Sequence, residues 1–419
     1  MEFKEISLGE LCEIKSSKRI YAKEYQNSGI PFYRSKEIIQ KANNEDVSTE
    51  LYISEERYKE IKEKFGLPTK GDILLTSVGT LGVAYLVENE EFYFKDGNLT
   101  WFSNFSNRLN NEFLYYWFNS QIGKNEINRI TIGSTQKALT IVNLKTLKIN
   151  LPTIENQIKI VSILKSLNEK LKNNLSIIVN LENISQSLFK HWFIDFEFPN
   201  EEGKPYKSSG GEMVESELGE IPKGWNIKNL SENVDFLSGG TPKTKEEAYW
   251  NGNIPFFTPK DARKSLYTTT TEKSITDLGL DKCNSKLYPK NTLFITARGT
   301  VGKLALANRP MAMNQSCFAL RHKEDKQFYL YNIVNNLVKE IILGANGAVF
   351  NAINLNDLKR LKYVYSNEKL IINFENTVSK LYKKMSLLEE ENINLQQLRD
   401  TLLPKLLSGE IEIPDELEV

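Results

Sequence analysis

Two stretches of this 419-residue chain repeat apolar residues every seven positions over a length that an ordinary globular helix does not need. In the first, Leu164, Leu171, Ile178, Ser185 and Trp192 form one row, and Leu167, Leu181 and Leu188 form a second row three positions on, with Asn174 as the polar interruption. In the second, Val378, Met385, Asn392, Arg399 and Leu406 run beside an unbroken Leu381, Leu388, Leu395 and Leu402. Sustained heptads predict coiled-coil helices, because a 3.5-residue period keeps one apolar stripe facing a partner along its whole length. The simplest partner for each helix is the other one, in an antiparallel pair. From Ile154 to Trp192 is 39 residues, about 58 Å of helix at roughly 1.5 Å per residue. Pro152 suits the start of this helix, and Pro199 with Gly203 its close.

Outside the heptads the pattern changes to short apolar runs cut by glycine. Asp72–Ser77, Val83–Val87 and Phe92–Phe94 read as strands separated by Gly79, Gly82 and Gly97, and Asn111–Asn119 as a short helix aligned with Lys326–Val334. The whole arrangement occurs twice. Residues 133 to about 197 match 347 to about 411 at a constant offset of 214, pairing Gly133 with Gly347, Ala138 with Ala352 and Leu181 with Leu395. Upstream, Thr76–Leu86 answers Thr296–Leu306 at an offset of 220, and Ile30-Pro31-Phe32 answers Ile254-Pro255-Phe256 at 224. A period this long is a duplicated domain plus helix, not a solenoid. The predicted class is α+β: two similar domains, 1–152 and 223–366, with long helices at 153–198 and 367–412, a linker at 199–222 and an acidic tail at 413–419.

Composition narrows the class. Hydrophobic residues at 40% and charged residues at 26% are ordinary for a folded protein. No apolar run approaches the roughly 18 residues of a membrane span, and the charged opening Met1–Glu5 is unlike a signal peptide, so a cytoplasmic protein is predicted. Cys12, Cys283 and Cys317 lack CxxC spacing, and His191 and His322 are the only histidines, which argues against a disulfide framework and a metal site. The 54 basic and 54 acidic residues cancel, but unevenly. Residues 223–366 hold 21 basic against 12 acidic side chains, and binding follows the local field rather than the total.

No phosphate loop, GxGxxG turn or HExxH is present: Gly302-Lys303 has Ala297 where the first glycine of a phosphate loop should stand and Leu304 where its Ser or Thr should. The positive signals are polar and paired. Gly79-Thr80-Leu81-Gly82 and Gly299-Thr300-Val301-Gly302 give each domain a glycine turn, with Arg298 and Lys303 flanking the second. Backbone N–H groups and the Thr80 and Thr300 hydroxyls could meet a phosphate there; a tight turn without a ligand is the competing reading. Arg34, Ser35 and Lys36 follow one apolar run, Thr258, Pro259 and Lys260 follow its match, and such side chains suit phosphates or base edges. Asn98 and Asn314, the latter followed by Gln315, could read adenine or could simply shape a turn. The DNA-contact candidates are therefore Arg34, Lys36, Thr80, Asn98, Thr258, Lys260, Arg298, Thr300, Lys303, Asn314 and Gln315. The helix-pairing candidates are Leu164, Leu167, Leu171, Ile178, Leu181 and Leu188 with Leu381, Met385, Leu388, Leu395 and Leu402.

Three segments, Ser187–Glu197, Met213–Trp225 and Leu398–Glu410, resemble the specificity subunit of type I restriction-modification systems, and the resemblance covers essentially the whole chain. The glycine turns and the Gln157-containing stretch Leu151–Gln157 are weaker matches; the second copy, Tyr365–Leu370, lacks that Pro and Gln. The resemblance implies two target-recognition domains, each reading half of a split double-stranded DNA target, held apart by two antiparallel helices. It also implies that those helices dock two methyltransferase subunits, that motor-nuclease subunits join through them, and that S-adenosylmethionine, ATP and Mg²⁺ belong to these partners. Such a chain would be non-catalytic. Two other classes compete. A self-sufficient DNA methyltransferase or nuclease would bind S-adenosylmethionine by itself, and a coiled-coil scaffold with protein-binding ends would lack the steep salt dependence of phosphate contacts.

Overall fold

The computed structural model describes residues 3–43, 45–133, 137–262, 265–344 and 353–414. The repeat partners Gly347 and Ala352, and the acidic tail from 415 onward, lie outside them. The chain divides into two compact units, one of Met1–Lys170 with Leu395–Val419, the other of Leu171–Asn394. Each long helix is shared between them.

Unit 1 is built on a four-stranded antiparallel sheet in the order Glu13–Lys15, Leu99–Ser103, Ile73–Thr76, Ala84–Leu86. The strand Ile73–Thr76 is buried throughout because both of its faces are covered: Ile73 and Leu75 enter a core with Leu8, Phe102 and Phe113, while Leu74 enters another with Tyr33, Ile38 and Trp101. The period-2 alternation of a strand sends successive side chains to opposite faces. A second sheet pairs Ile30–Tyr33 antiparallel with Tyr52–Ile53 and parallel with Tyr93–Phe94. The ends of the domain are tied by Phe3–Ser7 pairing with Lys148–Pro152.

Unit 2 repeats this plan. Leu293–Thr296 lies between Cys317–His322 and Leu304–Ala307; Leu293 and Ile295 face one core and Phe294 another. Trp250–Phe257 pairs parallel with Ala312–Met313, as its counterpart does in unit 1, and Asn226–Asn229 closes on Lys362–Tyr365. The predicted match of Asn111–Asn119 with Lys326–Val334 is only partial. In unit 1 the helix stops at Ser120, whose side chain caps a new helix, Gln121–Ile130, by accepting from Gly123 N at 3.0 Å. A Cβ on Gly123 would stand 2.0 Å from the Trp117 carbonyl oxygen, so the break needs a glycine there. Unit 2 has Val338 in that place, and one helix runs through, Gln327–Gly344.

The first long helix, here the central helix, spans Ile154–Phe189 and passes into a π turn at Lys190–Ile194. The predicted heptad that ends at Trp192 thus overruns the α-helix. The C-terminal helix spans Glu368–Ser408. The predicted exposed linker is partly built: Met213–Val214 pairs with Ile221–Pro222, and Phe198 stacks between Tyr206 and Trp225 at centroid distances of 4.6 and 5.0 Å. No helix among the described residues is long and apolar enough to cross a membrane.

Within unit 2 the long helices pair antiparallel, Asn174 meeting Asn392 and Ser185 meeting Tyr382. Leu171, Ile178, Met385 and Leu388 are buried, and Leu181, Leu188 and Leu381 half-buried. Within unit 1, Ile160, Val161 and Leu164 share a core with Leu403, Leu406 and Leu407, while Leu167, Leu395 and Leu402 are half-buried. The departure of the second copy near Leu370 also has a physical sense. In unit 1, buried Gln157 accepts from Asn110 N at 2.8 Å and donates to Arg108 O and Pro152 O, both at 2.9 Å. In unit 2 the task falls to Glu375, which accepts from Phe328 N at 3.2 Å and Tyr329 N at 2.8 Å at the start of Gln327–Gly344.

Asn174 Nδ2 donates to Asn392 Oδ1 at 3.0 Å, yet Asn174 Oδ1 and Asn392 Nδ2 are buried with no partner among the described residues. Asn174→Leu alone is expected to lower stability by about 1–3 kcal/mol, since it strands a buried amide. Replacing both by Leu should raise the midpoint of denaturant unfolding above that of the native chain. Glu375 supplies a second test. Burial pushes its carboxyl from 4.5 up to about 6 despite the two backbone donors. The folded value lies above the unfolded one, so this group's contribution to stability is whole below pH 4.5 and is lost as pH rises through about 6. Thermal melts of native chain and Glu375→Gln should therefore diverge across that window and run parallel above it.

Candidate nucleic-acid interface

The glycine turns rest on a threonine. In unit 1, Thr76 N donates to Val83 O at 3.0 Å, Gly82 N donates to Thr76 O at 2.9 Å, and the Thr76 hydroxyl accepts from Val83 N at 2.9 Å. Thr296, Gly302 and Lys303 make the same three contacts in unit 2 at the same distances. Both glycines of each turn have φ between 75° and 83°, a region closed to most side chains. Thr80, Arg298 and Thr300 are left exposed at the tips.

The apolar runs that become polar turn out to be capping devices. The Arg34 backbone N–H donates to Glu37 Oε2 at 2.8 Å and its guanidinium reaches Glu37 Oε1 at 2.8 Å. Glu37 is fully buried. Burial pushes its carboxyl up, but the bonds from Arg34 and the backbone outweigh that and hold it below the ordinary range. In unit 2, Asp261 takes this place, accepting from Thr258 N at 2.8 Å and Thr258 Oγ1 at 2.7 Å. Arg34 and Thr258 are thus engaged with acids, whereas Lys36 and Lys260 stay exposed. Among the described residues Lys260 has only a long contact to Glu272 at 3.8 Å.

These pieces, far apart in sequence, come together at one end of each sheet. In unit 1, Asn98 O accepts from Ser77 N at 2.8 Å and from Ser35 Oγ at 3.5 Å, joining the Asn98 loop to the glycine turn and to the Arg34–Lys36 segment. In unit 2, Asn314 N donates to Phe257 O at 2.9 Å, Ala297 N donates to Ser316 O at 2.8 Å, and a Cβ on Gly299 would stand 4.0 Å from Pro259 Cβ. Asn314 Oδ1 accepts from Ser316 N at 3.0 Å, so that amide shapes its turn; Gln315 is exposed and accepts from the Thr241 hydroxyl. Lys303 is exposed and, with Val301 and Gly302 of the turn, lines a cleft that also holds Glu182 and Tyr331.

Sequence reasoning missed a further loop in each cluster. Lys15–Arg19 follows the edge strand of unit 1, where Ser16 Oγ accepts from Gly97 N at 3.3 Å, Arg19 pairs with Asp96 at 2.7 Å and the Lys15 ammonium lies 4.2 Å from the Trp101 ring centroid. Ser238–Lys245 follows the edge strand of unit 2. Gly240 N donates to Met313 O at 3.1 Å, and a Cβ on Gly239 would lie 2.1 Å from Asn314 O; Lys243 and Lys245 are exposed. The visible signal was a basic run at matching distance from the start of each copy. Elsewhere, burial pushes the Cys12 and Cys317 thiols up to about 12, which keeps both protonated and poor as nucleophiles.

The family model for the type I restriction modification DNA specificity domain matches residues 1–183 and 222–363. This chain belongs to that family. Among specificity-subunit relatives, it is 28% identical over 443 residues to the type I restriction enzyme MjaIX specificity subunit of Methanocaldococcus jannaschii, covering 99% of this chain and 97% of that one. It is 23% identical over 332 residues to the HindI specificity subunit of Haemophilus influenzae, covering 67% and 72%. The crystal structure of a type I restriction-modification S subunit from M. genitalium shares the fold at a TM-score of 0.56 and 17% identity, over 97% of this chain and 96% of that one.

For this member of the specificity family, Arg298→Ala is expected to weaken binding to specific and non-specific DNA alike and to reduce the slope of log affinity against log salt by about one. Salt titrations by fluorescence anisotropy check this; a loss confined to one base position would make Arg298 a base reader instead.

Proposed function

We propose that this chain is the DNA-reading, non-catalytic subunit of a cytoplasmic type I restriction-modification complex. In this reading 1–152 and 223–366 are target-recognition domains, joined through the helices at 153–198 and 367–412 and the linker 199–222. The helices dock two methyltransferase subunits, with motor-nuclease subunits joining them. S-adenosylmethionine, ATP and Mg²⁺ belong to those partners. Family membership supports the role in DNA specificity.

The observation that carries the two-part target is one loop cluster, built twice on the same backbone contacts and furnished differently. Val78 in the first turn corresponds to Arg298 in the second, and Arg34 with Glu37 to Thr258 with Asp261. Side chains at these tips meet base edges and phosphates, and unlike side chains select unlike sequences. The turns Thr76–Val83 and Thr296–Lys303 hold the tips in place without a ligand, which limits the ordering that binding must supply.

Methylation mapping in a genome that expresses this chain with its methyltransferase should recover one target in two parts, with different half-sites around an unspecified spacer. A palindromic target would contradict the reading.

A further inference from the structure

The segment that leads into the doubly covered strand leaves one large apolar side chain in water in each unit. In unit 1 it is Phe65, the last residue of the helix Glu55–Phe65 and 46% exposed; in unit 2 it is Leu287, in the loop before Tyr288 and 48% exposed. They stand two positions apart in the repeat, since Ser285 answers Phe65 and Leu287 answers Leu67 at the offset of 220. Ser285 is buried and Leu67 half-buried, so each copy exposes an apolar side chain where the other withdraws the matching one. A lone apolar residue at a surface is ordinary. The surroundings set these two apart.

Both sit on the rim of the loop clusters and on backbone that the clusters hold. In unit 1 the Lys18 ammonium lies 5.0 Å from the Phe65 ring centroid, and Lys18 N donates to Tyr93 Oη at 2.7 Å. Lys18 belongs to the loop whose Ser16 accepts from Gly97, next to Asn98. Gly66, at φ 76°, turns the chain so that its Cβ would stand 3.9 Å from the Trp101 ring. In unit 2, Tyr288 Oη donates to Ser238 O at 2.7 Å and Ser285 Oγ accepts from Met313 N at 2.9 Å, next to Asn314. A Cβ on Gly240 would stand 2.7 Å from Asn284 N, so the Leu287 loop presses on Ser238–Lys245. Exposed cations stand in the same loops, Lys18 and Arg19 in unit 1, Lys282 and Lys286 in unit 2. An apolar projection rimmed by cations suits a duplex, whose phosphates flank a stack of apolar base faces, and Phe and Leu are among the side chains that wedge between base steps. An apolar protein surface would have to take those cations out of water as well.

Resting on the function proposed above, we infer that Phe65 and Leu287 are wedges that enter the DNA, each parting one base step at the edge of the half-site its own unit reads, with the neighbouring cations on the phosphates. A wedge favours steps that unstack easily, pyrimidine–purine steps above all, and so selects sequence without a hydrogen bond to a base. The test assembles full-length chain with its methyltransferase on a duplex carrying the mapped target, with 2-aminopurine placed at each step in turn. The native complex should brighten the probe at one step beside each half-site. Phe65→Ser should abolish that signal beside one half-site alone, weaken specific binding about five-fold or more and leave the slope of log affinity against log salt unchanged; Leu287→Ser should do the same at the other. Brightening that survives both substitutions belongs to the methyltransferase. The exchanges Phe65→Leu and Leu287→Phe should keep both signals. Both side chains already stand in water in the free chain, so the melting temperature should hold; if serine lowers it, Phe65→Gln and Leu287→Gln carry the same expectation. Serine variants with native affinity and native brightening would overturn the inference. So would a shallower salt slope, which would make the lost contact a phosphate one, or a loss of methyltransferase uptake by native mass spectrometry, which would make it a protein contact. A native complex that binds no specific DNA would instead sink the functional reading itself.

Discussion

The double burial of one short strand in each unit governs everything else in the domain. Ile73–Thr76 and Leu293–Thr296 are covered on both faces, each large apolar side chain contributing about 1.5–3 kcal/mol by leaving water. A strand held from both sides cannot slip, because a one-residue shift would exchange its two faces. Its last residue, Thr76 or Thr296, is therefore fixed in space and can hold the glycine turn by the same three hydrogen bonds in both units. The loops before and after the neighbouring strands are then bonded to that fixed end.

Rigid support with variable tips is the physical basis for a specificity domain. The contacts that gather the loops use mostly backbone atoms, such as Asn98 O with Ser77 N and Asn314 N with Phe257 O. Backbone contacts tolerate changes in the side chains that project from them. Arg34 bonded to Glu37 and Thr258 bonded to Asp261 show how one capping geometry accepts different residues. Side chains at such positions can thus change with little change in the core.

The long helices work under a different constraint. Their apolar rows bury well, but Asn174 and Asn392 meet in the seam with Asn174 Oδ1 and Asn392 Nδ2 unpartnered among the described residues. Such a pair costs stability relative to two leucines. Further along the central helix, the aromatic cluster of Phe189, Phe193, Tyr329 and Phe374 anchors its end in unit 2.

The sequence by itself determined the duplication, the two long helices and the positions of the glycine turns, because these rest on periodicity and on local backbone needs. Leu164, Leu171, Ile178, Met385 and Leu388 were legible as seam residues since a helix face follows directly from spacing. The identity of the loops that meet was only half legible. Lys36, Thr80, Arg298 and Thr300 lie at exposed tips as their turn chemistry suggests, yet the Lys15–Arg19 and Ser238–Lys245 loops join them only through sheet pairings between residues far apart in the chain. Tertiary structure alone decided that Arg34 is held by a buried Glu37, that Lys303 lines a cleft shared with Glu182, and that Gln157 and Glu375 do the same work from different positions. Gly123 likewise breaks a helix that its partner copy continues, because a carbonyl oxygen occupies the space a side chain would need. Local pattern specifies which element forms; which buried partner a polar side chain finds depends on atoms that only the folded chain brings within reach.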